Sequence, residues 1–271
     1  MYSGEFRGSI RTCARERRRL AGPSPVAGAV RFTVDRLPAG SYIEVMLDLP
    51  LLSATLRDCG RKLPRTHSVG GAEDWSDLYY LIDYLTFALD RAYESQPCRD
   101  GCSLCCREYS IFRVTAAEWA TISALLDDRG EGTAGLLERN QATYGAYRDQ
   151  LQRVAESWQG DPSLSATNPH LEGLPPVCPA LVDDRCSIYD ARPLICRAYG
   201  YFAVKVRDKD TLMICKVLGR AFVDSLREQG LEHAPLPNFE PFDRQVRRLN
   251  GTGAIKPLPL WLLERADGRS S

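Results

Sequence analysis

Histidine is nearly missing from this chain of 271 residues. There are three, His67, His170 and His233, each isolated among polar or proline-rich neighbours, and none is offered as a metal ligand. Net charge is missing too: Lys and Arg number 35 and Asp and Glu 35, so the footprint of a nucleic-acid-binding protein is not indicated. No window of about 18 apolar residues exists, which excludes a transmembrane helix and leaves no membrane partner to expect. Met1 to Leu20 contain no apolar stretch of the kind a secretory signal needs, and carry Arg7, Arg11, Arg15, Arg17, Arg18 and Arg19 instead. Glu5, Glu16 and the scarcity of serine count against an organelle transit peptide. The expectation is a basic, mostly disordered leader over residues 1–28. No strand is followed by a glycine-rich turn that would announce a nucleotide or S-adenosylmethionine pocket. Internal repeats and βαβ alternation are lacking as well.

What is present is 44% hydrophobic and 26% charged, ordinary values for a globular protein with room for one large domain or two modest ones. The unusual feature is ten cysteines. Cys98, Cys102, Cys105 and Cys106 fall in the string CRDGCSLCC, and Cys178, Cys186, Cys196 and Cys215 form a second, looser block. Cys13 and Cys59 lie outside both, Cys59 as a small buried residue. Without a secretory signal the expected location is the cytoplasm, where clustered cysteines read as ligands rather than disulfides. Four thiolates at one place are costly unless a cation neutralises them, and soft sulfur selects zinc, copper(I) or an iron–sulfur cluster. If residues 98–106 are helical, Cys98, Cys102 and Cys105 share one face with Cys106 beside it; Gly101 also allows a loop entering a helix.

Along the rest of the chain, Val30, Phe32 and Val34 alternate with polar residues, and Tyr42 to Leu47 can return as a second strand after the turn Leu37–Gly40. A short helix is expected over 49–63, ending near Gly60 and Pro64, then a polar loop over 65–73. Leu78, Leu81, Ile82, Leu85, Leu89 and Ala92 keep helical spacing from Asp77 onward. Tyr109 to Val114 can form a short strand, and Thr115-Ala116-Ala117-Glu118 is a capping box opening a helix with Trp119, Ile122, Leu125 and Leu126 on one face. Leu137, Tyr144, Leu151 and Trp158 at sevenfold spacing predict one long helix with an inward aromatic stripe, stopped at Gly160. A proline-rich loop over 160–177 leads to the second cysteine block. Tyr201 to Val206 and Leu212 to Ile214 read as a hairpin split by Asp208-Lys209-Asp210, and Lys216 to Gln229 as a helix. The sum is a helix-rich α+β fold with small β-hairpins and a cysteine-ligated metal centre packed among helices. Its expected divisions are a leader (1–28), an N-terminal hairpin and helices (29–96), a metal-binding domain (97–230) and a C-terminal helical extension (231–271).

The two blocks together resemble a known pattern. CRDGCSLCC, then Cys178-Pro179-Ala180-Leu181, then Cys186-Ser187-Ile188-Tyr189 with Arg192-Pro193-Leu194-Ile195-Cys196-Arg197, is similar to the cysteine-cluster family of zinc- or iron-chelating domains called CxxCxxCC proteins. Three residues rather than two separate Cys98 from Cys102, an extra residue that Gly101 accommodates. The resemblance spans about Cys98 to Cys215 and implies chelation by Cys98, Cys102, Cys105, Cys106, Cys178, Cys186 and Cys196, with Cys215 as an eighth ligand. The family includes flagellin lysine-N-methylases. An iron–sulfur-dependent enzyme acting on a protein substrate is therefore the alternative to a metal-binding protein with no defined reaction. Acid and base residues lining a cavity beside the centre would favour the enzyme; a closed thiolate centre among helices would favour the binding protein.

Cys98, Cys102 and Cys105 also have the spacing of radical S-adenosylmethionine enzymes. Those enzymes need parallel βα units after the cysteines, which this sequence does not offer. An iron–sulfur cluster is favoured over zinc because the second block lacks the paired knuckles of structural zinc sites, while the first delivers several sulfurs from one turn. Arg107, Arg192 and Arg197 stand next to ligand candidates, where they can offset thiolate charge or pair with acids such as Asp190. Tyr189 can donate to a sulfur or pack against Pro193.

Overall fold

The computed structural model describes residues 29–30, 49–93, 102–108, 111–161, 168–206, 209–214, 216–228 and 236–268. The expected leader, most of the N-terminal hairpin, Cys13, Cys98, Cys215 and His233 lie outside the described residues. Strand β1 (Ala29–Val30) pairs antiparallel with a strand near the other end of the chain, Leu236–Pro237.

Helix α1 (Leu49–Lys62) runs through Gly60, and Pro64 closes it in a 3-10 turn over Leu63–Arg65. Helix α2 (Leu78–Ala92) starts where the sequence places it, because Asp77 caps it: Oδ1 accepts from the Tyr79 and Tyr80 amides at 2.7 and 3.2 Å. The other carboxylate oxygen accepts from Ser68 Oγ at 2.7 Å and the Gly71 amide at 2.8 Å, so one side chain both starts the helix and folds the loop before it. Leu78, Leu81, Ile82, Leu85, Leu89 and Ala92 are all buried.

Helix α3 (Leu104–Glu108) is a single turn. Strand β2 (Arg113–Thr115) follows, and Thr115 ends it and caps α4 (Ala116–Arg129) in a complete capping box. Thr115 Oγ1 accepts from the Glu118 amide at 3.3 Å, and Glu118 Oε2 accepts from the Thr115 amide at 2.9 Å. The single long helix expected next is two helices, α5 (Ala134–Tyr144) and α6 (Arg148–Gly160), joined by a 3-10 turn over Gly145–Tyr147. Gly145 sits at the break, beside the end of the Gln141 side chain. The stripe still points inward: Tyr144, Leu151 and Trp158 are buried on both sides of the break.

Strands β3 (Leu181–Val182) and β4 (Arg185–Cys186) form a tight hairpin, followed by α7 (Leu194–Ala198). The next hairpin pairs β5 (Ala203–Val206) with β6 (Lys209–Leu212), so Lys209 and Asp210 belong to the strand rather than to the turn. Then come α8 (Lys216–Glu228), β7 (Leu236–Pro237), α9 (Glu240–Asn250), β8 (Ile255–Pro257) and α10 (Leu258–Ala266). Among the described residues the four strand pairs are all antiparallel, and β2 pairs with β8. The fold is helix-rich α+β. Among the described residues no helix is long and apolar enough to cross a membrane.

Two apolar cores dominate. The first gathers α1 and α2 with Leu194, Ala198, Phe202, Phe222 and the inner face of α9. The second gathers Val114, Trp119, Ile122 and Leu126 with Ala180, Ile188, Ala191 and α10, where Trp119 and Trp261 stack at 5.3 Å and 8°. The second core is the floor on which the cysteines sit: Cys178 is part of it, and Cys106 and Cys186 pack against it.

Candidate metal centre

Of the first cysteine block only Cys102 onward lies within the described residues, and there Cys102 and Ser103 stand outside a helix that begins at Leu104. Cys102 precedes α3, Cys105 and Cys106 lie on it, and none of its five residues is buried. The Cys105 and Cys106 sulfurs are 4.0 Å apart. The second block is tied to the first through the backbone: the Cys178 amide donates to the Cys106 carbonyl at 2.7 Å. From Cys178 the chain turns into the β3–β4 hairpin, whose two central residues, Asp183 and Asp184, both have positive φ, 47° and 61°. A two-residue turn of this hand matches the twist of the flanking strands and suits short polar side chains. It returns Cys186 opposite Leu181, and Ser187 clamps the return through its amide (2.7 Å) and hydroxyl (2.9 Å) to the Ala180 carbonyl.

Cys196 lies on α7. Glu118 holds the start of that helix, its Oε1 accepting from the Leu194 amide at 2.8 Å while Oε2 serves the capping box. Arg197 anchors α7 to α2 by an ion pair with Asp83, and also donates to the carbonyl of Arg192, just before α7, at 3.0 Å.

The thiols feel one another. The hydrogen bond with Cys105 pulls Cys106 down, but its bond with Cys178, burial and the charges of Cys178 and Cys186 outweigh this and push it up to about 12. Cys105 is raised by its bond with Cys106, by burial and by the Cys106 charge. Burial raises Cys186, opposed by the Ile188 amide and the Arg192 guanidinium, with the Cys105 charge adding to the rise. Cys196 is pushed well up by burial and then by the charges of Cys186, Cys105 and Cys106, against Arg192. The structure thus brings Cys105, Cys106, Cys178, Cys186 and Cys196 into one electrostatic neighbourhood, with Cys102 leading into it. Cys59 is apart from them, 2% exposed and raised to about 12 by burial.

None of the seven described cysteines is in a disulfide. As placed, no group of three or more His, Cys, Asp or Glu side chains among the described residues could hold a metal ion. The donor set is nevertheless all sulfur, the chemistry that suits thiophilic metals. His67 is exposed, and His170 is half-buried in a 3-10 turn over Pro169–Leu171.

The three arginines are engaged elsewhere as well. Arg107 pairs with Asp184 at the surface, and Arg192 lies 3.9 Å from the Tyr189 ring centroid and 4.0 Å from Asp83. Tyr189 is therefore covered by a guanidinium. Sequence reasoning missed Tyr79 and Asp83, and saw Glu118 only as a cap; all three face the second block from elements outside the motif. The only signal was the i,i+4 spacing of Tyr79 and Asp83 beside the apolar stripe of α2.

Behind α7 lies a cavity lined by Arg113, Glu118, Leu194, Ile195, Asp243 and Arg247, with space for about one water. Burial raises both its carboxyls, Asp243 against the opposing charges of Arg113 and Arg247. Both are already committed: Asp243 binds Arg113 at 2.6 Å and Arg247 at 3.0 Å, and Glu118 holds two backbone amides. No family model, curated protein or solved structure matches the chain.

Proposed function

We propose that this is a cysteine-cluster metal-binding protein of the cytoplasm, related to the zinc- or iron-chelating CxxCxxCC proteins, with a centre that serves structure or storage rather than a defined reaction. Cys98, Cys102, Cys105, Cys106, Cys178, Cys186, Cys196 and Cys215 would hold it, and an iron–sulfur cluster is favoured over zinc. The observation that carries this reading is the 2.7 Å bond from the Cys178 amide to the Cys106 carbonyl, which puts the two cysteine blocks side by side although 72 positions of chain separate them. The mutual rise of the thiols supports it: each extra thiolate in this neighbourhood is opposed by the others, and a bound cation supplies the neutralising charge.

The alternative, an iron–sulfur-dependent protein-modifying enzyme similar to a lysine N-methylase, calls for uncommitted acid or base groups beside the centre. The cavity behind α7 offers carboxylates already held in structural bonds. The one beside the β3–β4 hairpin, lined by Val182, Ser187, Arg129 and Arg139, offers no carboxylate, so the non-catalytic reading is preferred.

Anaerobic purification followed by elemental analysis and an optical spectrum tests the proposal. Stoichiometric iron with sulfur charge-transfer bands is expected, and both are lost in Cys178→Ser. A colourless protein with stoichiometric zinc would overturn the iron–sulfur choice and keep the chelation. A wild-type chain that carries and takes up no thiophilic metal would overturn the whole reading.

A further inference from the structure

Four buried side-chain polar atoms among the described residues have no hydrogen-bond partner: Tyr79 Oη, Asp83 Oδ1, Asn140 Oδ1 and Arg192 Nε. Native structures leave few such atoms unpaired, and each asks for an explanation. Asn140 is accounted for in part, since its amide nitrogen donates to the Pro259 carbonyl at 3.0 Å. The other three stand together around α7, Tyr79 and Asp83 one turn apart on α2 and Arg192 just before α7. Two of them, Tyr79 Oη and Arg192 Nε, are donors.

Tyr79 is the more confined. It is 3% exposed, and the Arg197 guanidinium covers its ring at 4.1 Å from the centroid, so the ring cannot swing its hydroxyl out to water. The neighbours that could satisfy it are few. Glu118 is close enough for its charge to reach Tyr79, but its two oxygens are taken by Thr115 and Leu194. Arg197 is a donor itself and cannot accept. Asp77 reaches Tyr79 too, but its two oxygens already accept from the Tyr79, Tyr80, Gly71 and Ala72 amides and from Ser68. That leaves Cys196, on the helix α7 that packs against α2. A thiol sulfur is a weak acceptor, whereas a metal-bound thiolate accepts a charge-assisted hydrogen bond.

The geometry points to Tyr79 as a positioning residue of the metal centre, its hydroxyl donating to the Cys196 thiolate when that sulfur is a ligand. This rests on the metal-binding reading above. It extends the centre to a helix outside the cysteine motif and gives α2 a part in tuning the metal. A hydrogen bond to a ligating sulfur draws electron density from it, stabilises the bound form and moves its charge-transfer bands to higher energy.

The test uses the full chain produced with cobalt(II), whose sulfur charge-transfer band is visible whichever metal is native. Tyr79→Phe keeps the ring and its contact with Arg197 and removes only the donor. The expected result is a band moved to lower energy and cobalt lost to EDTA about 10-fold faster, in line with the usual effect of an outer-shell partner. Tyr80→Phe, on the neighbouring position of the same helix, should change neither. An unmoved band and unchanged release in Tyr79→Phe overturn the inference and leave the metal reading standing. A lowered thermal midpoint with an unmoved band also overturns it, since the hydroxyl would then serve packing alone. A wild-type chain with no sulfur-to-cobalt band overturns the metal reading, and the inference with it.

Discussion

Helix α2 and the cysteine-bearing segments at 102–108 and 178–198 meet at α7, yet they are held in place by different means. Helix α2 spans four turns, has a capped start, and sinks a full stripe of leucine and isoleucine into the first core. It carries its own reason to fold, since apolar burial stabilises by roughly 25 cal/mol per Å². The cysteine segments have less of this: Ala180, Ile188, Ala191, Leu194 and Ala198 are buried, but no residue of 102–108 is. Helices α3 and α7 are five residues each and strands β3 and β4 two residues each, lengths that are marginal in isolation. Single bonds fix their positions further: Cys178 to Cys106, Ser187 to Ala180, Leu194 to Glu118, Arg197 to Asp83. Short elements held in this way carry less of their own stability than α2 does.

The largest effect expected from that contrast is on removing metal. On the reading proposed above, ligation contributes on the order of 10 kcal/mol to folding of the cysteine segments. Stripping the protein with a chelator, or making Cys186→Ser, should raise hydrogen exchange across 102–108 and 178–198 while Leu78–Ala92 stays protected. Uniform protection before and after stripping would erase the distinction between the two regions.

The reciprocal change lies in the first core. Leu85 is 1% exposed, and Leu85→Ala should cost about 2–5 kcal/mol in urea unfolding while the folded fraction keeps its full metal content. A variant equally destabilised but short of metal would mean that the two regions fold as one.

The smallest effect concerns Glu118, which joins them. Burial is the main influence on its carboxyl and raises it above the ordinary 4.5, against the bonds from Thr115 and Leu194. Folding therefore favours the protonated acid. Its contribution is whole below pH 4.5 and is lost as the pH rises through the raised value. In Glu118→Gln that loss disappears, a difference in slope of up to about 1.4 kcal/mol per pH unit between the two proteins. Parallel stability curves across pH 4 to 7 would show that the buried carboxyl is not shifted.

How far the sequence could be read follows the same divide. The capping box at Thr115 and Glu118 and the stripe of α2 were legible because each is local: a few residues specify a bond or a face by spacing alone. The break at Gly145 was not, because sevenfold spacing is the same whether the helix runs on or restarts after a 3-10 turn. In the first cysteine block Gly101 left both a helix and a loop open, and among the described residues Cys102 and Ser103 are not helical. The two-residue hairpin around Asp183 and Asp184 carried no glycine to mark it. Glu118 was read correctly as a cap, but its second bond, to Leu194, crosses 76 positions, and no pattern in a single sequence announces such a partner. Asp83, 114 positions from Arg197, escaped notice for the same reason.

The pairing of β2 with β8, and the stack of Trp119 on Trp261, sets an order in time. A ribosome delivers Cys105, Cys106, Cys178, Cys186 and Cys196 before it delivers Ile255–Pro257 and Trp261, which complete the floor beneath them. About 60 residues separate Cys196 from that strand, roughly 3–12 s of synthesis at about 5–20 residues per second. Through that interval the thiols emerge into the cell with their supporting core unfinished, open to oxidants and to any soft metal that reaches them first.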